Sequence, residues 1–275
     1  MKVHYHKMHG AGNRILVVDQ RRSALPPPDK SRVRELAAAA DGPGFDQLMW
    51  VGAAEPPFAA SYRIFNADGS EVGQCGNGVR CVARVLADEP GHDQAFTLLS
   101  PAGPIEARVA TDGLVTVSMG RPEFDPGRIP FTAPGQAMLY TLEVGGRQVE
   151  VAAVSMGNPH CVLQVEDIAA APVATLGPVL ERHERFPERV NVGFMQIIDR
   201  SHIALRVFER GVGETLACGT GACAAVVTGR QRGLLEPDVT VKLPGGELVV
   251  SWRGEAEPVW LTGNAELVSE GSMDL

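Results

Sequence analysis

The chain contains one 14-residue unit written twice, and this duplication constrains the fold more than any other feature of the sequence. Aligned without a gap, Phe65–Gly78 falls on Phe208–Gly221, and the two segments share Phe, Glu, Cys and Gly at matching positions. Farther upstream, Gly12-Asn13 matches Gly157-Asn158 in nearly the same register. A unit that occurs twice, without further copies, predicts two similar halves rather than a repeat array.

Composition limits the class of protein. A chain of 275 residues with 44% hydrophobic content can bury one large core or two of ordinary size, and the duplication favours two. The net charge of −8 and the scattered basic residues argue against a nucleic-acid partner. The sequence has no apolar run of the ~18 residues that a membrane span needs, and residues 1–6 lack the apolar core of a signal peptide. We therefore predict a cytoplasmic protein with no membrane or nucleic-acid partner.

Local patterns place a helix after each duplicated cysteine. After Cys75 the apolar residues recur at helical spacing, and Arg80 with Arg84 is expected to form a narrow water-facing stripe. After Cys218 the run 222–227 is apolar on every side, which predicts a helix buried all round. Glu71 and Glu214, four residues before each cysteine, are expected to be loop or capping groups.

The predicted fold class is α/β, or α+β, with two similar halves produced by internal duplication. Each half is expected to be a curved, largely antiparallel sheet wrapped around a central helix, with an active-site cleft between the halves. A proline-rich stretch, with prolines at 122, 126, 130 and 134, marks the boundary. The halves are therefore predicted to be residues 1–120 and 121–264.

The cysteines are expected to be reduced thiols without a metal. Their number, five, is odd, and the spacings from Cys75 to Cys81 and from Cys218 to Cys223 do not suit common zinc ligation. Cys81, Cys161 and Cys223 are interpreted as small buried hydrophobic residues.

Cys75 and Cys218 invite a different interpretation because each precedes a helix in a glycine-rich turn. A helix N-terminus carries partial positive charge, which is expected to lower the thiol pKa. Glycines without side chains, Gly76, Gly78, Gly219 and Gly221, would let a carboxylate approach the backbone amides. Two thiols on opposite sides of one stereocentre could remove and donate a proton, which is what inversion at carbon requires. No cofactor is expected, because neither a nucleotide-phosphate loop nor a lysine in a suitable context is present.

Several longer motifs resemble the diaminopimelate epimerase family. They are spread over most of the length of the chain: 8–13, MHGAGN; 66–71, NADGSE; 75–81, CGNGVRC; 157–160, GNPH; and 209–223, ERGVGETLACGTGAC. The resemblance implies a small-molecule substrate, with interconversion of LL- and meso-2,6-diaminopimelate by Cys75 and Cys218 as acid/base pair. It places this reaction in lysine and peptidoglycan precursor biosynthesis.

The resemblance also implies a set of site residues. Substrate would be held by Asn13, Gln47, Asn66, Asn158, Asn191, Glu209 and Arg210, and its carboxylate by the backbone at Gly76-Asn77 and Gly219-Thr220. His160 and Glu209 would adjust the proton affinity of the thiols. The family further implies a homodimer whose last strand, 265–275, returns to the first half.

Two positions depart from the family pattern: Arg14 stands where an acidic residue is usual, and Ile15 replaces an aromatic one. We expect these changes to alter local packing or loop charge rather than the chemistry.

Three other functions fit parts of the sequence. The nearest is a racemase of the same two-thiol type that acts on proline or hydroxyproline, whose substrates lack a second amino-acid end. A redox switch would use Cys75 and Cys218 as a disulfide pair. The third is a structural metal-binding module, which would show bound zinc in the purified protein.

Overall fold

A computed structural model describes residues 2–23, 25–38, 43–73, 75–87 and 95–275 of the chain. The chain divides into two compact units. The first unit comprises residues 1–118 and 262–275, and the second comprises residues 119–261. None of the described helices is long and apolar enough to span a membrane.

The first unit is a sheet with two helices. Its helices are α1, Lys30–Ala37, and α2, Gly76–Ala87. Its strands are β1, Lys2–Gly10; β2, Asn13–Asp19; β3, Gln47–Gly52; β4, Phe58–Asn66; β5, Glu71–Val72; β6, Ala95–Ser100; β7, Gly103–Val109; β8, Val115–Ser118; and β18, Glu266–Asp274. The strand order is β18-β1-β2-β3-β4-β6-β7-β8, and β5 pairs with one end of β4. Only the β2–β3 and β4–β6 pairs among these are parallel.

The second unit repeats this arrangement. Its helices are α3, Val173–Glu181, and α4, Gly219–Gln231. Its strands are β9, Tyr140–Val144; β10, Arg147–Ser155; β11, Pro159–Gln164; β12, Asn191–Asp199; β13, His202–Glu209; β14, Gly213–Thr215; β15, Asp238–Leu243; and β16, Gly246–Ser251, with β17, Trp260–Gly263, leading back to the first unit. The order is β9-β10-β11-β12-β13-β15-β16, with β14 on β13 and parallel pairs at β11–β12 and β13–β15.

The two units therefore share their pairing pattern from β18 to β7 and from β9 to β16, and β8 extends the first sheet on β7. The matched outer strands differ in chain order: β9 comes first in the second unit, whereas β18 is the last strand of the chain. An ion pair is duplicated as well: Arg63 binds Glu71, and Arg206 binds Glu214, each at 2.7 Å. The two glutamates thus lie on strands and stabilise a strand pair, so the interpretation of them as loop or capping groups was wrong.

A helix fills the concave side of each sheet. α2 lies against β1, β2, β3, β7 and β8, and α4 lies against β10, β11, β12, β13 and β16. Contact with strands from both ends of a sheet requires that the sheet curve around its helix. The predicted fold class, two duplicated halves each built as a sheet around a helix, is confirmed.

The two central helices bury different residues. α4 is buried from Gly219 to Gly229, as its apolar sequence predicts. α2 is buried over most of its length too, and this includes Arg80, which is 0% exposed. The predicted water-facing stripe of Arg80 and Arg84 is therefore wrong at Arg80, because backbone carbonyls inside the unit satisfy its guanidinium.

Candidate active site

Cys75 directly precedes α2, and its carbonyl accepts from the Val79 N–H at 3.0 Å. Its Sγ accepts from the Gly78 N–H at 3.2 Å, and the thiol donates to Gln47 Oε1 at 2.6 Å. The side chain is partly exposed. The thiol therefore sits where the unpaired N–H groups of the first helical turn point.

A chain of hydrogen bonds extends from Cys75 to a carboxylate. Gln47 Nε2 donates to Asn66 Oδ1 at 3.0 Å, and Asn66 Nδ2 donates to Ser70 Oγ at 3.1 Å. Ser70 Oγ donates in turn to Asp68 Oδ1 at 2.6 Å. An ionised carboxylate can only accept, so Asp68 fixes the direction of every bond in the chain. The hydrogen bonds from Ser70 also lower the pKa of Asp68, which keeps it ionised. Gln47 consequently presents its oxygen, an acceptor, to the thiol.

Arg80 lies one turn into α2 and supports this helix start from inside. Its guanidinium donates to Gly76 O at 3.2 Å, to Asn77 Oδ1 at 2.9 Å and to Asn264 O at 3.3 Å. Arginine keeps its charge in proteins, so a buried positive charge lies beneath the turn that carries Cys75.

Two predicted binding groups near Cys75 have unused polar atoms. Asn77 is buried, and its Nδ2 has no hydrogen-bond partner among the described residues. The side chain of Asn13, at the start of β2, is half-buried and makes no hydrogen bond within the described part of the chain. Unused amide groups of this kind are available to a ligand.

Cys218 is the N-cap of α4 and is only 5% exposed. Its Sγ lies 3.5 Å from Thr220 Oγ1 and interacts with the carboxyl group of Glu209. Burial raises the pKa of Cys218 well above its usual range, and the Glu209 charge raises it further, against the smaller opposite effects of Thr220 and the Gly221 amide. The expectation that a helix N-terminus lowers this pKa was wrong, because desolvation and a nearby carboxylate outweigh the helix dipole.

Glu209, at the end of β13, is held by its neighbours. Its Oε1 accepts from Thr215 Oγ1 at 2.5 Å. Burial raises the pKa of Glu209, and its hydrogen bonds with Thr215 and Cys218 act in the opposite direction. Glu209 thus lies beside the Cys218 thiol, where it was predicted to be near one of the two cysteines.

His160 contacts Asn158 rather than the thiol. Its Nε2 lies 3.1 Å from Asn158 Oδ1, and Asn158 Nδ2 donates to Thr220 Oγ1 at 3.4 Å. Burial lowers the pKa of His160 to about 3, with a smaller effect from Arg210, so the ring is neutral. Its Nδ1 is buried without a hydrogen-bond partner among the described residues. Any influence of His160 on Cys218 therefore passes through Asn158 and Thr220.

Asn191 and Arg210 belong to a second hydrogen-bonded group. Asn191 Nδ2 donates to Pro159 O at 3.0 Å, and its Oδ1 accepts from the Arg210 N–H at 3.0 Å. The buried carboxylate of Glu181 accepts from the Gly211 N–H at 2.7 Å. These bonds fix the turn after Glu209 and leave the Arg210 side chain exposed, where one of its nitrogens donates to Glu188 O.

The second glycine of each motif has a packing role. A Cβ on Gly78 would lie 2.5 Å from Met49 Sδ, and one on Gly221 would lie 3.0 Å from Val207 Cγ2. These glycines let the helix approach the sheet, and a Cβ on Gly221 would also lie 3.3 Å from Cys218 Sγ. That Gly78 and Gly221 clear space for a ligand stays a prediction. Gly76, Gly219 and Thr220 lie in the first turns, as predicted.

The other three cysteines, and the two positions that depart from the family pattern, lie outside the group of site residues described above. Cys81, Cys161 and Cys223 are 0% exposed, which confirms their interpretation as small core residues. All five cysteines are thiols. Arg14 binds the Asp46 carboxylate at 2.6 Å, and Ile15 is fully buried.

Sequence reasoning missed four contributors to this site: Asp68, Arg80, Glu181 and Thr215. Asp68 lies within a quoted motif, and its Asx-type spacing to Ser70 could have indicated a side-chain-capped loop. Arg80 could have been found by comparing the copies, because its duplicated position holds the apolar Cys223. No sequence signal identifies Glu181, which reaches the site only through the fold.

The comparisons with known sequences cover the whole chain. The sequence model of the diaminopimelate epimerase family matches residues 5–124 and 152–268. A protein from Alkalilimnicola ehrlichii named diaminopimelate epimerase is 52% identical over 279 aligned positions, which cover 100% of both chains. A protein of the same name from Nitrosomonas europaea is 51% identical, with 100% of both chains covered.

Solved structures resemble the chain at lower identity. A hydroxyproline epimerase from Agrobacterium vitis superposes with a TM-score of 0.71 at 16% identity, covering 100% of this chain and 93% of the other. A PhzF-family phenazine biosynthesis protein from Bacillus anthracis gives 0.69 at 16% identity, covering 100% of both. At these identities the likeness is one of fold alone.

Proposed function

Because the chain belongs to the diaminopimelate epimerase family, we propose that it interconverts LL- and meso-2,6-diaminopimelate, with Cys75 and Cys218 as the proton acceptor and donor. The observation that carries the assignment of the two residues is their equivalence: each thiol lies at the first turn of the central helix of a duplicated unit. The other three thiols lie in the core, without exposure to solvent.

The reaction is a proton exchange at one α-carbon. One cysteine thiolate removes the α-proton from one face, and the electron pair left on carbon is delocalised into the adjacent carboxylate. The other cysteine thiol then donates its proton to the opposite face, which inverts the centre. No atom other than hydrogen is gained or lost, and the two sulfurs have exchanged protonation states at the end of a turnover.

Charge that develops on the substrate carboxylate needs stabilisation in the transition state. The N–H groups in the first turns of α2 and α4, at Gly76-Asn77 and Gly219-Thr220, are preorganised donors at the positive ends of helix dipoles. The buried Arg80 adds a positive charge beneath the first of these turns. These features support binding of the reacting carboxylate at the helix starts.

The surroundings of the thiols support different resting states. Burial and Glu209 keep Cys218 protonated, as a proton donor requires. Cys75 is partly exposed and its Sγ accepts from the Gly78 N–H, both of which favour a thiolate when a proton must be taken up, while the Gln47 oxygen accepts from the resting thiol. In the reverse direction the two groups exchange roles, as microscopic reversibility requires.

Recognition of the distal amino-acid end is assigned to amides and to an Arg/Glu pair. Asn13 has an unused amide within the described part of the chain, whereas Gln47, Asn66, Asn158 and Asn191 would exchange or share the hydrogen bonds they already make when an α-amino carboxylate binds. The exposed guanidinium of Arg210 suits a bidentate contact with a carboxylate. A proline-type substrate would leave the Asn13 amide and the Arg210 guanidinium without the second amino-acid end that they are proposed to bind, and a site built for such an end discriminates against analogues that lack it.

We also propose that the protein is a cytoplasmic homodimer. Leu267 and Val268, on the outer strand β18, are exposed large hydrophobic side chains at 54% and 61%. Adjacent exposed apolar residues on an edge strand favour an interface. Sedimentation equilibrium would measure twice the 29.2 kDa chain mass if this is correct; a single mass of one chain at all concentrations would contradict it.

The function is tested by assaying α-proton exchange in deuterated water with LL-diaminopimelate and, separately, with L-proline. Exchange and inversion are expected with diaminopimelate alone. Cys75→Ala and Cys218→Ala should each abolish inversion, whereas Cys223→Ala, on the same helix as Cys218, should retain it. Exchange with L-proline but not diaminopimelate would replace the substrate assignment, and full turnover in either active-site variant would contradict the roles of the thiols.

A further inference from the structure

Two histidines and a glutamate cluster on the sheet face formed by β1 and β18 of the first unit. His4 and His6 are two residues apart on β1, so their side chains point to the same face. Glu270 on β18 is directly opposite His6 in the antiparallel register. The three side chains are thus brought together by the pairing of the two ends of the chain.

The distances between their polar atoms are those of a nearly formed ligand set. His6 Nε2 lies 3.3 Å from Glu270 Oε1, and His4 Nε2 lies 3.9 Å from Glu270 Oε2. One ligand atom from each of the three residues lies within 4.8 Å of the others. Around a tetrahedral Zn²⁺ with bonds of about 2.0–2.1 Å, ligand atoms are separated by roughly 3.3–3.5 Å. Closing the remaining gap needs only small rotations of partly exposed side chains.

The charges of the cluster suit a cation. The Glu270 carboxylate lies within 4 Å of both imidazoles, at 3.3 Å from His6 and 3.9 Å from His4. Neutral imidazole is the form that binds metals, and a carboxylate beside it supplies the negative charge that a divalent ion needs.

A simple ion pair between histidine and carboxylate explains less of this arrangement. Such a pair needs one histidine, and the protein has one elsewhere: His202 Nδ1 lies 2.9 Å from Asp199 on the second unit. At the β1–β18 face a second imidazole is placed with its ring centroid 5.0 Å from the first, in an edge-to-face arrangement. A ligand set of two imidazoles and one carboxylate is a familiar zinc site.

We propose that His4, His6 and Glu270 bind a divalent transition-metal ion, Zn²⁺ in the first instance, with a remaining coordination position open to solvent. The half-exposed side chains of His4, at 55%, and Glu270, at 50%, provide that opening. The ion would link β1 to the C-terminal strand β18 and so stabilise their pairing. The site is separate from the thiols, for which the cysteine spacing predicts no metal, and it does not depend on the proposed reaction.

The direct test is calorimetric titration of the metal-free, reduced protein with Zn²⁺, using four proteins that differ in one position. Wild type and His202→Ala, the matched exposed histidine, should bind one ion per chain with the same affinity. His4→Ala and Glu270→Gln should each weaken that binding by more than the roughly 10–100-fold that loss of an outer-shell partner costs. Saturable binding that is unchanged in both variants would overturn the proposal, as would its absence from wild type.

Thiols could also bind Zn²⁺, so a second measurement identifies the ligands. Titration with Co²⁺ should produce visible bands without the intense ultraviolet sulfur-to-metal absorption, in wild type and in Cys75→Ala alike. Bound metal should also raise the thermal midpoint of wild type and His202→Ala, but not of His4→Ala. A sulfur charge-transfer band that Cys75→Ala removes would place the ion at the active-site thiol and contradict the β1–β18 site.

Discussion

The starts of α2 and α4 have the same backbone arrangement but opposite electrostatic surroundings. Cys75 donates to the neutral amide of Gln47, which is bonded in turn to Asn66, and a buried arginine, Arg80, donates to Gly76 O in the same turn. Cys218 meets the carboxyl group of Glu209, which occupies the duplicated position of Asn66, while Cys223 takes the place of Arg80. The duplication has preserved the fold around each thiol and changed the charges that set its proton affinity.

This difference allows one thiol to act as the base and the other as the acid, which two identical halves could not do. A base must have lost its proton when the substrate arrives, and an acid must still hold one. At Cys75 the Gly78 N–H donor favours a thiolate and the Gln47 acceptor favours a thiol, whereas at Cys218 both burial and a neighbouring carboxylate favour a thiol. The non-equivalence of the two halves is therefore expected to matter as much to the reaction as their likeness.

The largest expected effect comes from removing the charge that distinguishes the second thiol. Glu209→Gln should lower the pKa of Cys218, because the negative charge that raises it is gone, and should slow epimerisation by roughly 100-fold or more. The pH dependence of Cys218 alkylation, followed by mass spectrometry, should move to lower pH. Glu214→Gln, which breaks the ion pair with Arg206, is the control and should leave the alkylation profile unchanged.

Removing the buried cation of the first unit should affect stability next most. Arg80→Met leaves Gly76 O, Asn264 O and Asn77 Oδ1 without the guanidinium that donates to them. Leaving a buried acceptor without its donor costs about 1–3 kcal/mol of unfolding free energy, which urea denaturation would measure. Arg84→Met, on a half-buried position of the same helix, should cost much less; equal losses would mean that the buried network contributes nothing specific.

A smaller effect is expected from exchanging the amide partners of the two halves. Gln47 reaches Cys75, whereas Asn191, on the corresponding strand β12 and one methylene shorter, binds Pro159 O and the Arg210 N–H instead. Gln47→Asn should break the contact with the thiol and reduce kcat by about fivefold, the equivalent of one hydrogen bond of about 1 kcal/mol. Gln47→Glu retains the length but adds charge, and it should raise the pKa of Cys75 in the alkylation assay. An unaltered kcat in Gln47→Asn would show that the bond has no part in the reaction.

The smallest effect at neutral pH concerns His160, which has no counterpart in the first unit. In the folded protein its pKa is lowered to about 3 from the usual 6.5. Between these values the unfolded chain binds a proton that the folded chain does not, so unfolding free energy should fall as pH falls through this window. His160→Gln should flatten that dependence in urea titrations between pH 7 and pH 4. A slope equal to that of wild type would show that His160 is protonated in the folded state.

The duplicated turns, the apolar run of α4 and the core thiols could be predicted from the sequence because each is a local pattern. The burial of Arg80 could not be predicted, because helical periodicity assigns a charged residue to solvent. The carbonyl that accepts from it belongs to Asn264, which is 184 residues away in the sequence. The prediction of a lowered pKa for Cys218 was wrong for the same reason: a contact made only in the fold decides it. A helix start is visible in the sequence, but the carboxylate that opposes its dipole arrives from a neighbouring strand.

The central claim, that two thiols act on one carbon from opposite faces, is tested most directly by the fate of the α-hydrogen in a single turnover. LL-diaminopimelate should be converted in deuterated water, with product and remaining substrate analysed at low conversion. If one thiol removes the proton and the other donates one, the product should carry solvent deuterium at the inverted centre, while the remaining substrate retains its hydrogen. Product that retains the hydrogen of the substrate would mean that a single group removes and returns the proton, and would contradict the account.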